Sequence, residues 1–297
     1  MRRIALLSTV ALLAACGGSS STPQGFLRVG NLSPDLLPLD FCVRVTGTTT
    51  WSEPVMLAAG ATAGLVYDGG TGIDGALQVS RYFQYDAGTY DVAVFQKGLL
   101  GSTCSNPIAS KTGVALDSGV HKLVAAVGYT GSTTAPHALA TFTDETTVTT
   151  GNVAIRFANV GILPGATFGP LPAIDVGVTT ASTGYVVIFK NVAYPGVAPA
   201  STVAPVIDAN GYAVVPAASF AGAVQLTVCP TGLTPASGFC QSTNVGAGLI
   251  TANSVATAYV IGVAGTPAPA ANSLLCGDNT APPVAGYNYS LCLTKLP

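Results

Sequence analysis

The chain repeats itself. Gly113 to Gly128 aligns with Ala247 to Gly262 at an offset of 134, and the same offset lays Ala87 to Phe95 on Ala221 to Cys229. Nearer the start, Arg28-Val-Gly-Asn31 matches Arg156-Phe-Ala-Asn159 at an offset of 128, and Leu39-Asp40 matches Ile174-Asp175 at 135. The change of offset marks a loop insertion in the second copy, within Gly161 to Pro172. A unit of about 120 residues is long enough to bury its own core, so the repeat reads as two domains meeting near Thr149 to Asn152. Within each copy the apolar period is two. Tyr90, Val92 and Val94 alternate with Asp91 and Ala93, as Val224, Leu226 and Val228 do with Gln225 and Thr227. Successive side chains of a strand point to opposite faces, so such runs, broken at turns like Asp86-Ala87-Gly88 and Asp208-Ala209-Asn210-Gly211, predict an all-β chain of antiparallel sandwiches. Helical periodicity is nearly missing; its best segment runs from Val55 to Ala63.

The first residues have a different logic. Arg2 and Arg3 precede ten apolar residues, Ile4 to Leu13, and then Ala14-Ala15-Cys16. The apolar run is too short for the roughly 20 residues that span a bilayer, which makes residues 1–15 a secretory signal peptide. Leu13-Ala14-Ala15-Cys16 resembles the lipobox of bacterial lipoproteins at all four positions. That resemblance implies cleavage before Cys16, diacylglycerylation of its thiol and acylation of the new amino terminus. Each buried methylene contributes roughly 0.8 kcal/mol, so two or three acyl chains hold durably where one does not. Residues 16–25 then form the lipidated cysteine and a flexible Gly/Ser tether. Gly17 stands where inner-membrane lipoproteins often carry aspartate, so by that resemblance the outer membrane is favoured. The expected address is the cell envelope, with the membrane itself as a partner through Cys16.

Charge narrows the partners. Losing Arg2 and Arg3 with the leader takes Lys+Arg from 11 to 9 against 13 Asp+Glu, a net charge of −4. With no Lys/Arg cluster, nothing supports nucleic-acid binding. Charged residues are 8% of the chain, and Ala209 to Gly277 contains none. That stretch is either an uncharged polar sandwich surface or a face that packs on another chain or a polymer. An envelope protein or a polysaccharide is the partner such a face would take.

Setting Cys16 aside leaves six cysteines, an even number in an exported chain, which reads as three disulfides. Fifteen pairings are possible in principle; the spacing favours Cys42 with Cys104, Cys229 with Cys240, and Cys276 with Cys292. A zinc site would want Cys-x-x-Cys spacing, which the chain lacks, and His121 and His137 are its two histidines.

Arg28-x-x-Asn31-x-Ser33-Pro34-Asp35, then Leu39-Asp40 opening a strand, then Ala87-Gly88-x-Tyr90-x-Val92-x-Val94, resembles the domain-of-unknown-function family 4397. The resemblance implies an immunoglobulin-like sandwich, often in tandem, and assigns no activity. The second copy keeps Arg156, Asn159, Asp175 and Ala221-Gly222 but has Leu163-Pro164-Gly165 in place of Ser-Pro-Asp. The fold expected is therefore two tandem immunoglobulin-like antiparallel β-sandwiches, over 26–148 and 152–265, followed by a disulfide-closed extension over 266–297. Ser33-Pro34-Asp35 suits a turn whose short polar side chains cap backbone N–H groups. Asp40 and Asp175 are expected to hold loop amides and to pair with Arg28 and Arg156 across a sandwich end.

Chemistry has few candidates. Asp68-Gly-Gly-Thr-Gly-Ile-Asp74-Gly75 offers two hard oxygen ligands in a glycine-rich loop, a weak calcium site without EF-hand spacing or a bidentate Glu. No Gly-x-Ser-x-Gly elbow is present, and the one carboxylate pair of note is Asp86 with Asp91. Tyr287 and Tyr289 could stack on a sugar. The expectation is a non-catalytic structural or binding module without a cofactor; the alternatives are an adhesin for carbohydrate or calcium and, third, an unrecognised hydrolase.

Overall fold

The computed structural model of the chain describes residues 22–52, 54–58, 64–67, 78–96, 104, 106–163, 169–180, 184–220, 224–238, 240–245, 252–261, 272–278 and 292–294. The leader with Cys16, and also Asp68, Asp74, Tyr287 and Tyr289, lie outside the described residues.

Strands are numbered in chain order. In the first repeat, β3 (Phe83–Asp86), β1 (Gln24–Asn31), β6 (His121–Val127) and β7 (Ala138–Asp144) lie side by side in that order. Facing them is a sheet of β2 (Leu39–Val45), β4 (Gly88–Gln96) and β5 (Ala109–Leu116). Leu27 and Val29 from the first sheet meet Phe41, Val43, Tyr90, Val92 and Val94 from the second in one buried core. The period of two in β4 thus sets its apolar side chains inward. Its other face is also covered: Ala93 and Phe95 pack with Trp51 beside the Cys42–Cys104 disulfide. The turn at Ala87 carries the chain from β3 in one sheet to β4 in the other. Of the expected helical segment, Val55–Ala58 forms a turn of helix, α1, and residues 59–63 lie outside the described residues.

The second repeat is built alike. One sheet holds β8 (Asn152–Asn159), β17 (Val255–Ile261), β18 (Asn272–Gly277) and β19 (Cys292–Thr294), with β13 (Gly196–Val197) and β14 (Tyr212–Pro216) both on the free side of β8. Opposite lie β12 (Gly184–Val192), β11 (Ile174–Thr180), β15 (Val224–Pro230) and β16 (Gln241–Val245). Ile155, Phe157, Val176, Phe189, Leu226 and Val260 form its core. The insertion contains a small hairpin, β9 (Ile162–Leu163) with β10 (Gly169–Pro170). Cys229 bonds Cys240. Cys276 is disulfide-bonded, and the register sets it opposite Cys292.

One pairing in each repeat departs from the antiparallel expectation: β1 runs parallel to β6, and β8 parallel to β17. Strands so far apart in the chain are not joined by a hairpin, and a parallel ladder is open to them.

The two sandwiches also share a core. Leu32, Leu123, Ala125, Ala140 and Phe142 of the first pack against Ala158, Val160, Tyr259, Ile261 and Leu274 of the second. All seven residues of β17 are buried, because its two faces serve two different cores. Part of the charge-free stretch is therefore explained inside the molecule: a strand with no wet face has no place for a charge.

Gly128, just after β6, has φ +99°, and a Cβ there would lie 2.2 Å from the Pro136 carbonyl oxygen. Replacing Gly128 by Ala is expected to cost more than about 1 kcal/mol, because both the backbone conformation and the approach forbid a side chain. Thermal melting of Gly128→Ala checks this.

Candidate functional site

Leu27 and Val29 point into the first core, so strand alternation turns Arg28 to the outer face of its sheet, and Arg156 is turned the same way between Ile155 and Phe157. Those outer faces meet, and both guanidinium groups are sealed between the sandwiches. Arg28 donates from Nε to Asp144 Oδ2 at 3.0 Å, from Nη2 to Asp278 Oδ1, and from Nη1 to the Gly277 carbonyl at 3.2 Å. Arg156 donates from Nη2 to Asp144 Oδ1 at 2.5 Å, from Nη1 to the Thr143 carbonyl at 2.6 Å, and from Nε to Thr257 Oγ1 at 3.0 Å. Tyr82 donates its hydroxyl to Asp144 at 2.7 Å, and Tyr212 and Thr257 donate theirs to Asp278 at 2.6 Å. Each guanidinium also stands over a tyrosine ring, Arg28 over Tyr82 at 4.9 Å and Arg156 over Tyr212 at 4.5 Å.

The arrangement has approximate twofold symmetry. Asp278 follows Asp144 by 134 residues and Gly277 follows Thr143 by the same number, the offset of the repeat. Two positive and two negative side chains balance. Burial alone would raise Asp144, but Arg28 and Arg156 outweigh it and hold this carboxyl below its ordinary value. Asp278 is pushed up by burial and by the charge of Asp144, which its contact with Arg28 does not overcome. The two therefore act oppositely on stability. As pH falls, Asp278 binds its proton more readily in the folded chain than in the unfolded one and so adds stability; Asp144 withdraws stability below the unfolded carboxylate range. Relative to Asp278→Asn, the wild-type chain should gain melting temperature as pH drops toward 4, a difference that scanning calorimetry across pH would reveal.

This corrects the expected pairing of the arginines. Their ion pairs run to Asp144 and Asp278. Asp40 and Asp175 lie in the far sheets and serve loops, as the other half of the expectation had it. Asp40 accepts from the Phe41 and Met56 amides at 2.7 and 2.8 Å. Asp175 accepts from the Asn191 and Gly232 amides at 2.8 and 3.0 Å. Sequence reasoning missed Asp144 and Asp278. The repeat offset relating them, in a chain so poor in carboxylates, was the signal available.

The remaining candidates are held separately. Asp86 accepts from Gln24, while Asp91 pairs with Arg44 and accepts from Thr46. His121 stacks on Phe26 with centroids 4.2 Å apart. His137 meets Asp35 at 3.0 Å. Burial alone would raise Asp35, but hydrogen bonds from Thr130, His137 and Ser33 hold it below the usual carboxylate value. Among the described residues no group of three or more His, Cys, Asp or Glu could hold a metal ion, and no helix is long and apolar enough to cross a membrane.

Beside the charge cluster a cleft of about 370 Å³ opens between β7 and the segments around Gly196 and Asn210. Lys111, Thr141, Thr143 and Arg156 are among its walls, and no carboxylate is.

No family model matches the chain, and no curated protein is similar to it. Solved structures show only distant likeness. A leucine-rich repeat protein from Bacteroides thetaiotaomicron is 13% identical with a TM-score of 0.17; the match covers 82% of this chain and 26% of that longer one. A Bacteroides uniformis protein proposed to act in cell adhesion is 12% identical over 86% of this chain and 99% of its own, with a TM-score of 0.21. The minor pilin GBS52 of Streptococcus agalactiae is 10% identical over 82% of this chain and 98% of its own, with a TM-score of 0.16. The all-β architecture stands on the strand pairing of the chain itself.

Proposed function

We propose that the mature chain is a lipid-anchored protein of the cell envelope, favouring the outer membrane, that acts as a non-catalytic structural or binding module. One observation carries the non-catalytic half: where the fold gathers arginines and aspartates, they are sealed from solvent and join the two sandwiches. Side chains so placed cannot reach a substrate. The lipobox ending at Cys16 and the disulfides support the address, since disulfides persist in oxidising compartments. Labelling of cells with a clickable palmitate analogue tests the anchor. The wild-type chain is expected to take label and to fractionate with outer membrane, and Cys16→Ser to do neither. Equal labelling of both would sink the assignment, and turnover of a generic ester or glycoside by the purified chain would sink the non-catalytic reading.

A further inference from the structure

The cleft beside β7 has a feature that ordinary packing does not use. The Phe26 and Leu32 amides donate to the Val120 and Ala126 carbonyls, so the even-numbered backbone groups of β6 serve β1 and its odd-numbered ones serve β7. In β7 the partners of those odd-numbered residues are Phe142, Ala140 and Asp144. The backbone N–H and C=O groups of Leu139, Thr141 and Thr143 therefore point the other way, and among the described residues no strand pairs with that edge. The contact of Arg156 with the Thr143 carbonyl lies on this open side. Thr141 Oγ1 is buried there without a hydrogen-bond partner. Edge strands are normally blunted by charge, proline, a bulge or a covering loop; β7 has alternating small and apolar residues and is recessed between two walls instead.

An unpaired strand edge presents alternating donors and acceptors at the spacing of another extended backbone, and a recess excludes a second folded sheet while admitting a single chain. The volume falls in the range of roughly 300–1,000 Å³ typical of ligand sites. Lys111 stands on its wall and no lining residue is a carboxylate, so the cleft favours a negatively charged group at Lys111; Arg156 is already paired with Asp144. We propose that it binds an extended peptide segment bearing a carboxylate, which adds to β7 as a strand and sets its acidic side chain toward Lys111. The site rests on the reading of the chain as a binding module and gives that module a class of partner.

The probe is a fluorescein-labelled peptide, Thr-Val-Glu-Val-Thr-Val with blocked ends, followed by anisotropy against the soluble chain from residue 17 onward. Thr141→Pro removes an edge N–H that the fold does not use, as prolines on edge strands do. It is expected to weaken binding about tenfold, the equivalent of one or two lost hydrogen bonds. Lys111→Glu should weaken it too and should prefer the peptide with Lys in place of Glu. Melting temperatures of both variants should stay near wild type, which separates loss of the site from loss of the fold. Wild-type protein that does not bind the peptide, or binds it no better than Thr141→Pro, overturns the proposal. The Cys16 labelling is read independently, so the peptide site can fail while the envelope address stands.

Discussion

Replacing Asp144 by Asn should destabilise the chain by roughly 3–5 kcal/mol, the cost of leaving buried charge uncompensated. Among the described residues Asp144 is the carboxylate that touches both arginines, at 3.0 Å from Arg28 and 2.5 Å from Arg156. Asparagine keeps the shape but leaves two guanidinium groups, both fully buried, facing Asp278 alone. Chemical denaturation should show the loss, and because the cluster joins the two sandwiches, a single transition should separate into two. A companion variant distinguishes charge from packing. Arg28→Met, Asp144→Leu, Arg156→Met and Asp278→Leu, with Tyr82→Phe, Tyr212→Phe and Thr257→Val, remove the four charges and the hydroxyls that serve them, and replacements of this kind are often neutral or stabilising. The combined variant should melt within a few degrees of wild type while Asp144→Asn does not. A loss under about 1 kcal/mol for Asp144→Asn would mean that water reaches the cluster.

Removing the Cys42–Cys104 disulfide, as Cys42→Ser with Cys104→Ser, should cost about 4 kcal/mol by the loop-entropy relation. The bridge spans 62 residues and so constrains a large part of the unfolded first repeat. It also helps cover the outer face of β4, where Cys42 packs with Ala93 and Phe95. The Cys229–Cys240 bridge spans 11 residues and should matter less. Comparing the two double-serine variants by guanidinium unfolding checks the order. Equal losses would show that packing, rather than loop length, sets the value of each bridge.

Much of this architecture was legible in the chain. Tyr90, Val92 and Val94 announced by their spacing which face of β4 would be inside, because side-chain direction in a strand depends on nothing beyond parity. The turn at Asp208 to Gly211 was legible for a similar local reason: Asp208 accepts the Asn210 amide at 2.8 Å, and Gly211 takes φ +84°. The roles of Asp40 and Asp175 as loop anchors followed from their place ahead of strands. The partners of Arg28 and Arg156 did not, because parity says that an arginine faces outward without saying what lies outside.

The sequence by itself determined the repeat, the alternation that makes each copy a sandwich, and the resemblance of Leu13 to Cys16 to a lipobox on which the proposed anchor rests. These rest on patterns within a few residues of one another, or on the comparison of one copy with the other. The tertiary structure decided that the outer faces of the two sandwiches would meet, that Asp144 and Asp278 would neutralise Arg28 and Arg156 between them, and that β17 would be buried on both sides. It decided too that, among the described residues, no strand would pair with the outer edge of β7. Those outcomes depend on docking two surfaces far apart in the chain, and the energy of a buried charge is set by whichever partner docking brings to it.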